Sequence, residues 1–294
     1  MQNLALNGAL ASPIPSTTPL GSVDSLAPDA WMPDAWMPDA CMHDACMHDA
    51  WLLRSCPVSP PRMRLYCFGY ACGGASAFET WSDRLDSRIE VCRLQLPGRE
   101  NRRDEPPVVR LDAVYRVFEQ ISQQGDPLPF AFFGYCMGGR IALAVARHLR
   151  RQQLPLPSAL FIAATREPGC MWPMEPPTYE FDDAGLLRFA EPFGGIPACV
   201  LEDPRRLSRF LALLRADIEL NETIDFTPEA PFACPLTIFG GREDEAVRPE
   251  HLTPWVDHSN GPFTLQLLAG AHMFLHTQSD PMLAQVNAQL TALM

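Results

Sequence analysis

One cysteine, held between two glycines where an apolar strand gives way to a helix, constrains this chain more than any other feature. In FFGYCMGG, residues 132–139, Cys136 is flanked two positions away on each side by Gly134 and Gly138. This is the G-x-S-x-G nucleophile elbow with cysteine in the serine position. Residues two before and two after the apex of such a turn nearly touch, so neither can carry a side chain. The helix that follows directs its positive N-terminal end at the apex, which favours a thiolate and any oxyanion formed beside it. The backbone N–H of Met137 is then one expected oxyanion donor. A glycine-flanked core cysteine with no chemical role is the plain alternative for the pentapeptide alone.

The rest of the chain narrows that choice. From Arg64 onward, short apolar strands alternate with helical patterns. Strands are expected at 65–68, 89–96, 129–133, 159–164, 236–239 and 263–268, and helices at 76–85, 108–124, 138–153, 251–258 and 281–293. Strands apolar on both faces and separated by helices predict a largely parallel sheet covered on both sides. The alternation stops between Pro168 and Pro235, where short helices at 184–189 and 204–214 are expected. An insertion there, about 168–234, is placed to act as a lid.

Two strand ends supply the partners a nucleophile needs. GGREDEAV follows one strand and puts Asp244 just beyond it; AGAHMFL follows the next and puts His272 beyond that. The order nucleophile, acid, histidine is that of the α/β-hydrolase fold. His272 would take the thiol proton and Asp244 would orient the ring and stabilise the imidazolium. Glu243 and Glu245 flank Asp244 and compete for its role, but the G-x-x-D spacing from Gly241 favours Asp244. His276 reads as a packing or surface residue, and His148, His251 and His258 as solvated positions on helices.

Charge excludes other classes. The 294 residues carry a net charge of −12, the wrong sign for a phosphate backbone or an anionic membrane surface. No apolar run approaches the roughly 20 residues that span a bilayer, and MQNLALNGAL lacks the basic and apolar regions of a signal peptide, so a cytoplasmic protein is expected. The ten cysteines form no C-x-x-C unit; neither zinc nor a disulfide framework is expected, and most should be buried thiols. Pro28–Leu52 is five copies of a five-residue unit, PDAWM to HDAWL. That period fits neither helix nor strand, so residues 1–62 read as a disordered low-complexity extension, with Met63 a plausible start and 63–294 the folded domain. A docking tail, or a metal-binding tract at Cys41, His43, Cys46 and His48, is the functional alternative for the repeat.

These motifs resemble one family closely, the stand-alone type II thioesterases of non-ribosomal peptide and polyketide synthesis. The resemblance runs from about Leu65 to the C-terminus and is carried by LYCFGYACGGASAF (65–78), VCRLQLPGRE (91–100), FFGYCMGG, FGGIPACVLEDP (193–204), LRADI (214–218), LTIFGGREDEAV (236–247) and GPFTLQLLAGAHMFL (261–275). It implies an α/β-hydrolase fold with a four-helix-type lid over a channel for the phosphopantetheine arm of a carrier protein. It also implies an editing role, removing wrong or stalled acyl groups, and Ala71 as the second oxyanion donor. The chain departs from the family in four places: Cys136 replaces the usual serine, Tyr135 the preceding histidine, Gly69 the usual proline, and Cys72 the first glycine of the oxyanion loop.

Cysteine alters the expected chemistry. It exchanges one thioester for another of similar energy, so acylation is readily reversible, and a shuttle moving acyl or aminoacyl groups between carrier thiols stands beside hydrolysis as an alternative. An inactive carrier-binding module is a third reading, against which Asp244 and His272 argue. No cofactor is expected, because the pantetheine arm belongs to the substrate. Acyl or peptidyl carrier proteins are the expected partners and a monomer the expected state. Arg147, Arg150 and Arg151, and Arg205, Arg206 and Arg209, are candidate docking positives.

Overall fold

The structure, a computed structural model, describes residues 50–123, 128–170, 175–194 and 196–294. Seven strands form its single sheet: β1 Leu52–Arg54, β2 Met63–Phe68, β3 Ile89–Leu94, β4 Phe130–Tyr135, β5 Leu160–Ala163, β6 Leu236–Gly241 and β7 Phe263–Leu268. Their order is β1-β3-β2-β4-β5-β6-β7. Every neighbouring pair is parallel except β1 with β3. The helices are α1 Asp112–Gln123, α2 Met137–Arg151, α3 Asp183–Ala190, α4 Ala198–Leu201, α5 Pro204–Glu222, α6 Pro249–Leu252, α7 Phe274–Thr277 and α8 Ser279–Ala292, with 3-10 turns at Ala75–Trp81 and Thr253–His258 among others. This is the largely parallel sheet expected from the alternation, in the α/β-hydrolase architecture that the motif order and the resemblance imply.

Two cores lie on the two faces of the sheet. Phe68 and Phe132 pack on one side with Val114 and Phe118 of α1 and Ile141, Val145 and Leu149 of α2. On the other, Phe133 and Phe239 pack with Phe78 and Trp81 and with Met282, Val286 and Leu290 of α8. Because the central strands feed both cores, β2, β5 and β6 are buried at every position, which is why they read as unbroken apolar runs. Burying a ring such as Phe133 contributes about 1.5–3 kcal/mol, and its edge-to-face contact with Trp81, centroids 4.7 Å apart, adds to that.

The domain begins earlier than the expected Met63. The end of the last repeat unit, Trp51 and Leu52, lies on the sheet: Leu52 pairs with Leu94 and Arg54 with Cys92, and Leu52 is buried. Trp51 accepts the Gln95 N–H at its carbonyl, 2.9 Å, and lies beneath the Arg102 guanidinium, 4.4 Å. Tertiary burial of one tryptophan and one leucine captures this copy, which no local period could announce. The earlier repeat units and the whole candidate metal tract, His48 included, lie outside the described residues.

Other boundaries shift modestly. The helix expected at 251–258 is mostly a 3-10 turn after a short α6. In the insertion, α5 runs to Glu222 rather than ending at Leu214; Asp203 caps its start by accepting the Arg205 and Arg206 N–H groups, and no breaker follows before Thr223. Cysteine burial is mixed: Cys67 and Cys92 are buried, whereas Cys56 and Cys199 are exposed. Among the described residues no helix is long and apolar enough to cross a membrane.

Candidate active site

Cys136 stands at the C-terminal end of β4, where the chain order reverses between β2 and β4, the usual location of a ligand site in an open parallel sheet. Its backbone has φ 53° and ψ −117°, a conformation that a non-glycine residue adopts only under strain. Both flanking glycines are required. A Cβ on Gly134 would sit 2.4 Å from the Gly138 carbonyl oxygen, and one on Gly138 would sit 2.1 Å from that of Phe68. The same close approach lets the N-terminus of α2 begin at Met137, directly after the thiol.

The structure brings Cys136, Asp244 and His272 together. The Asp244 carboxylate and the His272 imidazole are both buried, with Oδ2 2.8 Å from Nδ1. The other carboxylate oxygen, Oδ1, accepts the N–H groups of Ala246, 3.0 Å, and Val247, 2.8 Å, so the turn after β6 fixes the acid. Glu243 instead accepts the Gly270 N–H from an exposed position, and Glu245 is also exposed, which separates Asp244 from its neighbours. His272 Nε2 is buried without a conventional hydrogen bond, yet the Cys136 sulfur is near enough to act on the ring. Burial lowers the affinity of His272 for its second proton, but Cys136 and Asp244 outweigh burial and push its pKa up to about 10. Catalytic contacts are often loose without substrate and tighten around it.

Above this group, a cavity of about 510 Å³ opens between the sheet and the insertion, lined by Cys136, His272, Phe189, Phe193, Ile196 and Ile218 among others. Ala71 and Met137, the expected oxyanion donors, both line it. Next to Ala71, Cys72 has φ 63°, the left-handed region that favours glycine. Its amide donates to Asp217 Oδ2, 2.6 Å. Asp217 in turn holds Arg99 through two contacts, 2.6 and 2.9 Å, fully buried on both sides. The PGRE turn, the loop at Ala71 and Cys72 and the LRADI helix are thus tied into one assembly, a pairing that separate motifs in sequence did not reveal.

Several expectations change. Tyr135, noted in sequence only as a departure, donates its hydroxyl to the His272 carbonyl, 2.5 Å, and accepts the Leu275 N–H, 3.1 Å. His276 is a packing residue, half-buried against Tyr70 with its Nε2 3.1 Å from the Tyr70 hydroxyl. His148 and His258 are not solvated: they meet Glu119 at 2.6 Å and Glu167 at 2.8 Å, and His251 accepts the Arg248 N–H. Arg147, Arg150 and Arg151 do not form a free positive face. Arg147 is buried near the Phe226 ring, and the other two both pair with Glu229. Arg205, Arg206 and Arg209 are exposed on α5.

With this geometry in place, residues 63–290 match the model of the thioesterase domain family. The chain belongs to that family. It is a thioester hydrolase of the α/β-hydrolase fold. It is 33% identical over 241 residues to gramicidin S biosynthesis protein GrsT of Aneurinibacillus migulanus, covering 82% of this chain and 93% of that one. The RedJ thioesterase from the prodiginine pathway of Streptomyces coelicolor is similar in structure, with TM-score 0.70 and 31% identity over 80% of this chain and 94% of that one. The type II thioesterase BorB from the borrelidin cluster gives TM-score 0.70 at 27% identity, covering 82% and 98%.

Proposed function

We propose that this thioesterase hydrolyses acyl or aminoacyl groups from the phosphopantetheine arm of carrier proteins in non-ribosomal peptide or polyketide synthesis, through Cys136, His272 and Asp244. The observation that carries the reading is the buried His272–Asp244 pair set against Cys136 at the floor of the cavity. The names of the relatives supply the pathway class.

In this mechanism the Cys136 proton already rests on His272 Nε2 when substrate arrives, and Asp244 stabilises the imidazolium. The thiolate attacks the thioester carbonyl, and the oxyanion is received by the N–H groups of Met137 and Ala71 at the positive end of α2. Collapse breaks the bond to the pantetheine sulfur, which leaves with the proton from His272. Water then gives a proton to His272 and attacks the S-acyl enzyme, releasing the carboxylic acid and restoring Cys136. The reactants are one thioester and one water; the products are one acid and one thiol.

The test is an acylated carrier protein incubated with the full chain, with and without a second, unloaded carrier. Free acid released without an acceptor, and lost in Cys136→Ala, is the expected result. Acyl movement only when the acceptor is present would establish the transferase alternative, which the equal energies of the two thioesters make chemically sound.

A further inference from the structure

The cavity wall beyond Cys136 contains a buried arginine that makes no direct ion pair among the described residues. Arg140 stands four residues after Cys136 on α2 and is 6% exposed. Arg64, Arg99 and Arg102 are also buried, and each is held by a carboxylate at 2.6 Å. Among the described residues Arg140 has no such direct partner, and Glu167 and Glu222 favour its charge only from farther off. Its Nη2 donates to the Asn221 carbonyl, 3.3 Å, and its guanidinium lies over the Phe226 ring, 4.4 Å. The Nε and Nη1 donors are buried and unpaired. Burial with so little compensation pulls its pKa down to about 10, still protonated at neutral pH.

Two more orphan polar atoms belong to the same wall. Asn221 Oδ1, from α5, and Thr178 Oγ1, from the turn Thr178–Glu180, are buried without partners. Arg140, Asn221 and Thr178 all line the cavity that holds Cys136. The contact of Arg140 Nη2 with the Asn221 main-chain carbonyl makes the two residues neighbours, and each carries an unpaired polar side-chain atom. Buried groups of this kind are rarely left unsatisfied, and a ligand presenting an acceptor beside a donor would complete both.

We propose that this wall recognises an amide within the acyl chain, its carbonyl oxygen accepting from Arg140 and its N–H donating to Asn221 Oδ1, so that peptidyl or N-acylaminoacyl thioesters are preferred over plain alkanoyl ones. A chain extending about 5–6 Å from the thioester carbon reaches one helical turn along α2, where Arg140 lies. Phe189, Phe193, Ile196 and Ile218 form an apolar part of the lining, and Arg166, Arg188, Glu222 and Glu245 are charged residues elsewhere around it; an alkyl chain would be accepted on the apolar part but would leave the polar wall unpaired. The inference rests on the thioesterase reading of this site.

Three pantetheine thioesters with six-atom acyl chains separate the possibilities: hexanoyl, 5-oxohexanoyl and N-acetyl-β-alanyl. For the full chain, kcat/KM should rise in that order, with the amide about tenfold or more above hexanoyl, as expected for a hydrogen bond to a charged donor in a buried site. Arg140→Met should collapse the amide-to-hexanoyl ratio toward one. Asn221→Ala should lower the amide substrate toward the ketone. Equal or faster turnover of hexanoyl by the unmodified protein would overturn the proposal while leaving the hydrolase reading intact, as would a ratio unchanged in Arg140→Met. Should Arg140→Met fail to fold, the unmodified protein's ratio and its response to Asn221→Ala still decide. No turnover of any of the three would overturn the hydrolase reading together with the inference.

Discussion

The Tyr135 hydroxyl donates to the main-chain carbonyl of His272, joining the residue before Cys136 to the histidine set against it. Tyr135 is fully buried, and the same oxygen accepts the Leu275 N–H. One side chain therefore spans from β4 to the loop before α7 and fixes where the imidazole stands. Tyr135→Phe removes both bonds and leaves a buried carbonyl and a buried amide unpaired, at a cost of about 1–3 kcal/mol each at most. The expected outcome is a loss of stability in that range and a fall in kcat of roughly tenfold with KM little changed. Denaturant unfolding and steady-state kinetics on one thioester check it; a fall in KM and kcat together would point to a different role.

His272 should hold its proton through neutral pH. Its pKa in the folded protein, about 10, lies above the ordinary 6.5. A histidine raised in this way contributes stability that is fully present below about 6.5 and is lost as pH rises through about 10. An NMR titration of the His272 ring should show a midpoint far above that of an ordinary histidine. Cys136→Ala, which removes the largest favourable neighbour, should move the midpoint down, and Asp244→Asn should do the same. A midpoint near 6.5 in the unmodified protein would contradict the coupling.

The Arg99–Asp217 pair predicts a strong asymmetry between its disruption and its removal. Asp217→Ala leaves the Arg99 guanidinium buried without its anion, which costs about 3–5 kcal/mol, and also frees the Cys72 amide beside Ala71. Activity should fall with stability, because α5 and the oxyanion loop lose their shared anchor. The double variant Arg99→Met/Asp217→Leu should recover much of the stability. Thermal unfolding of the three variants reads the difference, and a harmless Asp217→Ala would refute the anchor.

The early strand can be tested by truncation. A chain beginning at Met63 lacks β1 and exposes the edge of β3, with Leu94 and Cys92 losing their partners. Leu52→Ala alone should cost about 2 kcal/mol or more, and the truncated chain more than that. Equal melting temperatures for the full and shortened chains would place the domain start back at residue 63.

Much of the architecture was legible because its signals are local. Buried parallel strands must be apolar throughout, and the elbow needs glycine at 134 and 138 because backbone atoms from 138 and from Phe68 occupy the space a Cβ would fill. Asp244 and His272 could be read from their order and their positions after β6 and β7. Other features could not be read this way. The capture of Trp51 and Leu52 by the sheet, the ties of Arg150 and Arg151 to Glu229, and the joining of PGRE to LRADI through Arg99 and Asp217 are contacts between distant segments. So is the orphaned guanidinium of Arg140 beside Asn221. By itself the sequence determined the fold class and the places of Cys136, Asp244 and His272 just beyond their strands, since periodicity and turn chemistry are properties of neighbouring residues. Only the tertiary structure decided which charges are neutralised and which are left facing the cavity, because pairing and desolvation depend on what the folded chain brings together.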